Sequence, residues 1–168
     1  MPLIPFSALP DSSRLWIFAA DKPIGHAEIP EFLARLDNTL DAWQAHGKDL
    51  HAGRDLRYEQ FLFVAADENV EHPSGCSIDT LTREIAALGN QFGVNLLSSG
   101  LVPYRAGNEV RNTDRAAFKK LVEAGEITPE TIVYNNSLTG LQELREGKWE
   151  VPASHSWHAK AFKFLHPV

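Results

Sequence analysis

The run Ser74-Gly75-Cys76-Ser77-Ile78-Asp79 places the only cysteine of the chain at the start of an amphipathic stretch that reads as a helix. The first turn of a helix presents unpaired backbone N–H groups and partial positive charge, so a thiolate, a phosphate or a carboxylate is stabilised there. Gly75 leaves room for a ligand to approach the backbone, and the hydroxyls of Ser74 and Ser77 add hydrogen-bonding partners. Two chemistries follow. In the first, Cys76 is a nucleophile and a histidine takes its proton; His72 lies four residues upstream, across Pro73. In the second there is no catalysis, and Ser74, Gly75 and Ser77 hold a small anionic ligand or a protein partner. Asp79 opposes the thiolate, because a carboxylate in the first turn competes for the same positive end. A small, buried, inert cysteine beside a serine cap is therefore the expected state.

Three further groups have suitable donors or ligands. Arg14, at the mouth of an apolar strand, and the pair Asn135-Asn136, after a later one, can line a pocket for an anionic or amide ligand. His155 and His158, three residues apart, would share a helix face, yet two imidazoles supply at most half of a tetrahedral shell. With one cysteine, no His-Glu-x-x-His and no calcium loop, neither a metal nor another cofactor is expected.

These residues need elements to position them. Arg14 to Ala19 is apolar and aromatic and reads as a strand, preceded by a turn at Asp11-Ser12-Ser13. Ile29, Phe32, Leu33, Leu36, Leu40 and Trp43 recur at helical spacing, with Gly47 placed to end that helix. Leu50 to Tyr58 and Phe61 to Ala66 read as a hairpin. The second helix carries Ile78, Leu81, Ile85, Leu88 and Phe92 on one face and stops at Gly93. Either Val94 to Leu97 or Leu101 to Tyr104 supplies the next strand. Thr113 or Asp114 can cap a helix running to Gly125, and Ile132-Val133-Tyr134 is a short strand.

The order strand, helix, strand, strand, helix, strand is the split βαβ arrangement. The expected fold is therefore α+β: a mainly antiparallel sheet with helices on one face, ferredoxin-like over about 12–105, and a C-terminal extension over about 106–168. No Pro/Gly/Ser-rich linker separates the tail aromatics Trp149, Trp157 and Phe162, so residues 1–168 are expected to form a single domain with the tail packed back on the sheet.

A net charge of −6 gives no global attraction for nucleic acid. The start Met1-Pro2-Leu3-Ile4-Pro5-Phe6 lacks the basic residues and apolar run of a secretion signal, and no apolar run reaches membrane-spanning length. A lone cysteine forms no internal disulfide. The expectation is a cytoplasmic protein that neither binds nucleic acid nor inserts into a membrane. Pairing of sheet edges into a homodimer is compatible with the architecture.

Several pieces taken together, Leu9-Pro10-Asp11-Ser12-Ser13-Arg14-Leu15-Trp16-Ile17, Trp43-Gln44-Ala45-His46-Gly47, the Ser74 to Asp79 run, Val151-Pro152-Ala153 and Ser156-Trp157, resemble a family of small, functionally uncharacterised bacterial proteins that often carry the label "ABC transporter ATPase". The resemblance implies kinship rather than mechanism, and the label can be tested on the residues. Phe63 to Glu68 imitates a Walker B strand, and Leu97-Ser98-Ser99-Gly100-Leu101 loosely echoes a transporter signature loop, but in the wrong order. No Gly-x-x-x-x-Gly-Lys-Ser/Thr occurs to cradle phosphates and hold Mg²⁺, which argues against a self-sufficient ATPase. The reading that remains is a binding or accessory domain whose ligand or partner engages Ser74 to Asp79. Its alternative is a cysteine-dependent enzyme with Cys76 as nucleophile.

Overall fold

The chain alternates β1 (Arg14–Ala19), α1 (Ile29–Asp41), β2 (Gln44–Ala45), β3 (Lys48–Asp49), β4 (Ala52–Arg57), β5 (Phe61–Ala66) and α2 (Gly75–Gln91). It continues with β6 (Leu101–Ala106), β7 (Glu109–Asp114), α3 (Arg115–Glu123), β8 (Ile132–Tyr134), α4 (Leu141–Arg145), β9 (Glu150–Pro152) and α5 (His158–Phe162). The computed structural model describes residues 3–98 and 100–163. Two compact units result: Met1–Ser98 with Leu138–Arg145, and Ser99–Ser137 with Glu146–Val168. The architecture is α+β with antiparallel sheets, and no helix among the described residues is long and apolar enough to cross a membrane.

In the first unit the strand order is β1-β5-β4, with β5 antiparallel to both neighbours. All six residues of β5 are buried, as its unbroken apolar run requires of a central strand. Alternation along the strands puts Phe18, Leu62, Val64, Ala66 and Ala52 into a core with Phe32, Leu36 and Leu40 of α1 and Leu81, Ile85 and Leu88 of α2. Arg54 of β4 reaches Asp37 of α1 through two hydrogen bonds of 2.8 Å, tying the sheet to the helix layer. Gly89 lets α2 pass close to the chain that follows it: a Cβ there would lie 2.8 Å from the Val94 carbonyl oxygen.

The strand order is that of a split βαβ, but the fourth strand of a ferredoxin-like sheet does not join it. Residues 94–98 cross the end of β1 irregularly, with the Asn95 N–H donating to Asp21 Oδ1 at 2.8 Å and Ser98 Oγ donating to the Ala19 carbonyl at 3.0 Å. Leu101–Ala106 is extended, as one of the two expected alternatives, but it belongs to the second unit's sheet. In the first unit the edge of β1 meets a single bridge between Arg14 and Gly140, with the Leu15 N–H donating to the Thr139 carbonyl.

The first helix is shorter than its apolar period suggests. It ends at Asp41, and the residues expected to continue it to Gly47 form the β2–β3 hairpin instead, turning through His46 and Gly47, both at positive φ. Trp43 keeps the helical spacing from Leu36 and Leu40 but lies beyond the helix, buried, with its indole directed at α2.

The second unit has a four-stranded sheet in the order β7-β6-β8-β9. Its core joins Val102, Ile127, Val133 and Ala153 to Phe118 of α3, with Trp157 and Phe162 packed against them. The tail aromatics Trp157 and Phe162 therefore pack on the second unit's own sheet, a different sheet from the ferredoxin-like one expected to receive the tail. Asp114 caps α3 by accepting the Ala117 N–H at 2.7 Å, and Gly125 at φ 76° follows the helix. No apolar alternation marks β7: Glu109–Asp114 is polar almost throughout, as an exposed edge strand tolerates.

Candidate functional site

Ser74 has extended backbone angles and is the N-cap of α2. Its Oγ accepts the Ser77 N–H at 3.1 Å, while the Ser74 N–H donates to Ser77 Oγ at 2.7 Å and that hydroxyl donates to the Ser74 carbonyl at 2.8 Å. This is a capping box with serine in the role usually filled by glutamate. The hydroxyls expected to hold a ligand thus hold the helix end. From beneath, the Trp43 indole N–H donates to the Ser77 carbonyl at 2.8 Å in a buried contact. Trp43 packs edge-on against Trp16 with ring centroids 5.5 Å apart, and the Arg14 guanidinium lies 5.1 Å from the centre of the Trp16 ring. A continuous series therefore runs from Arg14 through two indoles to the first turn of α2. Arg14 is thus joined to this entrance through the Trp16 face.

Cys76 corrects the expectation of burial: it is exposed. As the second helical residue it lies on the outer side of the turn, while the buried position goes to Ser77, which both the box and Trp43 pull inward. Asp79 is the fifth residue of α2 and falls outside the first turn, which contains no acid. His72 Nδ1 faces Glu68 Oε2 at 3.1 Å, and among the described residues no hydrogen bond joins the Cys76 thiol to a histidine. The Walker B look-alike acids serve the same loop. Asp67 Oδ1 accepts the Asn69 N–H at 2.9 Å, and Glu68 holds His72. The signature-loop echo includes Ser99, which lies outside the described residues.

One turn along α2 from Cys76, Thr80 Oγ1 donates to the Cys76 carbonyl at 2.9 Å and lines a hollow of about 430 Å³ with Leu81 and Glu84. The opposite wall is Thr39, Ala42 and Trp43, where α1 gives way to β2. Thr39 and Glu84 also line a smaller hollow of about 170 Å³ that reaches Arg35 and Gln91, which are hydrogen-bonded to each other at 2.8 Å. The two hollows adjoin at Thr39 and Glu84 and are together called the α1–α2 groove. Among the described residues Glu84 has no ion-pair partner, so a free carboxylate stands midway along it. No sequence motif announces this groove; its only trace is that Thr39, Thr80 and Glu84 occupy polar positions adjoining the two apolar faces.

The remaining candidates belong to the second unit. Asn135 and Asn136 build a turn after β8. The Asn135 side-chain oxygen accepts from the Ser137 N–H and hydroxyl, and that of Asn136 accepts the Trp149 indole N–H at 2.8 Å. His155 and His158 do not share a helical face: His155 is exposed in a 3₁₀ turn, whereas His158 opens α5 and is fully buried. The His158 Nδ1 faces Ser156 Oγ at 2.9 Å, and burial, with the Arg115 charge adding to it, pushes the imidazole pKa down to about 4. Comparisons of the chain with protein-family models, with curated proteins and with solved structures return no match.

Proposed function

We propose that the chain is a binding or accessory domain that engages a segment of a protein partner along the α1–α2 groove beside the entrance of α2, with no chemistry at Cys76. The observation that carries this reading is the groove itself: an open, mixed polar and apolar trough whose one free charge is the Glu84 carboxylate. The first unit has fifteen Asp and Glu against eight Lys and Arg, a net −7. A partner segment with amide or basic groups is the complementary occupant. A small anion is less suited to the entrance, because the capping box has already taken the Ser77 N–H.

A photoreactive maleimide attached to Cys76 tests the reading, since the thiol is exposed one turn from the groove. The proposal requires a discrete crosslinked partner that disappears when Ala42→Arg fills the trough and persists with a control substitution at the exposed Lys22. Crosslinking indifferent to Ala42→Arg contradicts it.

One observation favours the cysteine-enzyme alternative: Glu68 engages Nδ1 of His72, which leaves Nε2 as the nitrogen free to act as a base toward Cys76, and the thiol is open to substrate. That reading requires a thiol-transfer or acyl-transfer turnover abolished by both Cys76→Ser and His72→Ala.

A further inference from the structure

We propose that the second unit carries a binding site for a small phosphate-bearing molecule, in the hollow between the start of α3 and the end of α5. The hollow measures about 500 Å³ and is lined by Arg115, Ala116, Lys119, Ala161, Phe162 and Lys163, three cations and no carboxylate. Elsewhere in the unit Arg105 pairs with Glu150, and Lys148 with Glu146. Among the described residues no acid lies within ion-pair reach of Arg115, Lys119 or Lys163. Asp114, the nearest acid in the chain, has a side-chain oxygen committed to the Ala117 N–H. The unit has eight Lys and Arg against seven Asp and Glu, a net +1, in a chain of net −6.

This arrangement runs against what a helix favours by itself. Arg115 is a cation in the first turn, at the positive end of the dipole, and Lys119 repeats that charge one turn later on the same face. Lys163 closes α5 in the left-handed region, at φ 50° and ψ 29°. Uncompensated local costs of this kind concentrate where a ligand supplies the missing partner.

The cations are also positioned. The Arg115 guanidinium lies 5.4 Å from the Trp157 ring centre and 5.7 Å from that of Phe162, so its fork is held by aromatic faces and its N–H groups are free for an anion. Trp157 in turn stacks on the buried His158 at 3.9 Å, and His158 Nε2 has no hydrogen-bond partner. A planar fork beside two ammonium groups suits the several oxygens and multiple charge of a phosphate better than a single carboxylate. Phe162 adds an apolar wall for the rest of the molecule.

The experiment is a titration of the full chain at low salt with inorganic phosphate and with pyrophosphate, read by calorimetry and by backbone amide NMR shifts. The result expected is saturable binding, tighter for pyrophosphate, with shifts at Arg115, Ala116, Lys119 and Ala161. Arg115→Gln and Lys119→Gln should each weaken binding about tenfold by removing a charge-assisted contact. Both positions are exposed, and unchanged circular dichroism and melting would exclude misfolding as the cause. Arg83→Gln, in the first unit, should leave affinity unchanged. Three results would overturn the proposal: no saturable binding up to about 10 mM; affinity unchanged by both Arg115→Gln and Lys119→Gln; or equal weakening by Arg83→Gln.

Discussion

The entrance of α2 and the hollow at the start of α3 both gather groups suited to an anion at a helix beginning, and they differ in how much of their bonding capacity is already used. At α2 the two serines satisfy each other, Trp43 takes the Ser77 carbonyl, and Glu68 occupies His72. At α3 a single bond from the Ala117 N–H to Asp114 caps the helix, and among the described residues the cations beside it have no acid to meet. Polar residues gathered in sequence are often gathered to finish a helix or a turn, because side chains three or four positions apart reach each other without help from the fold. Groups that only tertiary structure assembles, and that it leaves uncompensated, are the better pointers to a ligand.

The largest effects belong to the cores under these two places. Phe118 is fully buried beneath the α3 hollow, 4.4 Å from the Phe162 ring centre, and Phe118→Ala should cost about 3–5 kcal/mol. Leu36→Ala under the α1–α2 groove should cost about 2–5 kcal/mol. Denaturant melts check both; a loss under about 1 kcal/mol at either site would mean that its core does not position the surface above it.

A pH effect separates the units next. The His158 pKa is lowered from 6.5 to about 4, so above pH 6.5 the ring is neutral in folded and unfolded chains alike. As pH falls from 6.5 towards 4, only the unfolded chain takes up the proton, and stability is lost, by about 2 kcal/mol between pH 7 and pH 5. NMR titration of the imidazole should give a midpoint near 4. His158→Phe should flatten the acid dependence of the melt. A midpoint at or above 6.5 would break the description of a dry, neutral ring in the aromatic stack.

Smaller still is the cap. Ser74→Ala removes an oxygen that accepts the Ser77 N–H, and should destabilise the first unit by about 1 kcal/mol. If melts show no loss, the serines are not spent on the helix end and the entrance regains its claim as an anion seat.

How much of this was legible in the sequence follows from whether a residue's role is local. β5 and β8, and β1 from Leu15 on, carry unbroken apolar runs, and all three appear at the residues expected. The face of α2 is equally plain: Leu81, Ile85 and Leu88 are buried. Trp43 misled because a residue past the helix end kept the helical spacing, its true reason being a carbonyl on α2, thirty-four positions away. β7 was invisible because an exposed edge strand needs no apolar alternation, and the missing fourth strand turned on polar ties at Asn95 and Ser98 that no periodicity reveals. Of the candidate site, the Ser74 cap was readable, but the exposure of Cys76 was not, because burial at a helix start depends on what packs beneath it. The groove and the basic hollow each combine residues from segments about 40 positions apart in the chain, beyond any local pattern.

The central claim, that the α2 entrance is a binding face whose cysteine does no chemistry, is tested most directly by the rate at which iodoacetamide modifies Cys76 at pH 7. The account predicts that the folded chain reacts at the rate of the urea-unfolded chain within about threefold, since among the described residues no base is hydrogen-bonded to the exposed thiol, and that His72→Ala leaves that rate unchanged. A folded chain reacting more than about tenfold faster than the unfolded one, and slowed by His72→Ala or Glu68→Gln, would contradict it and place a working nucleophile at the entrance of α2.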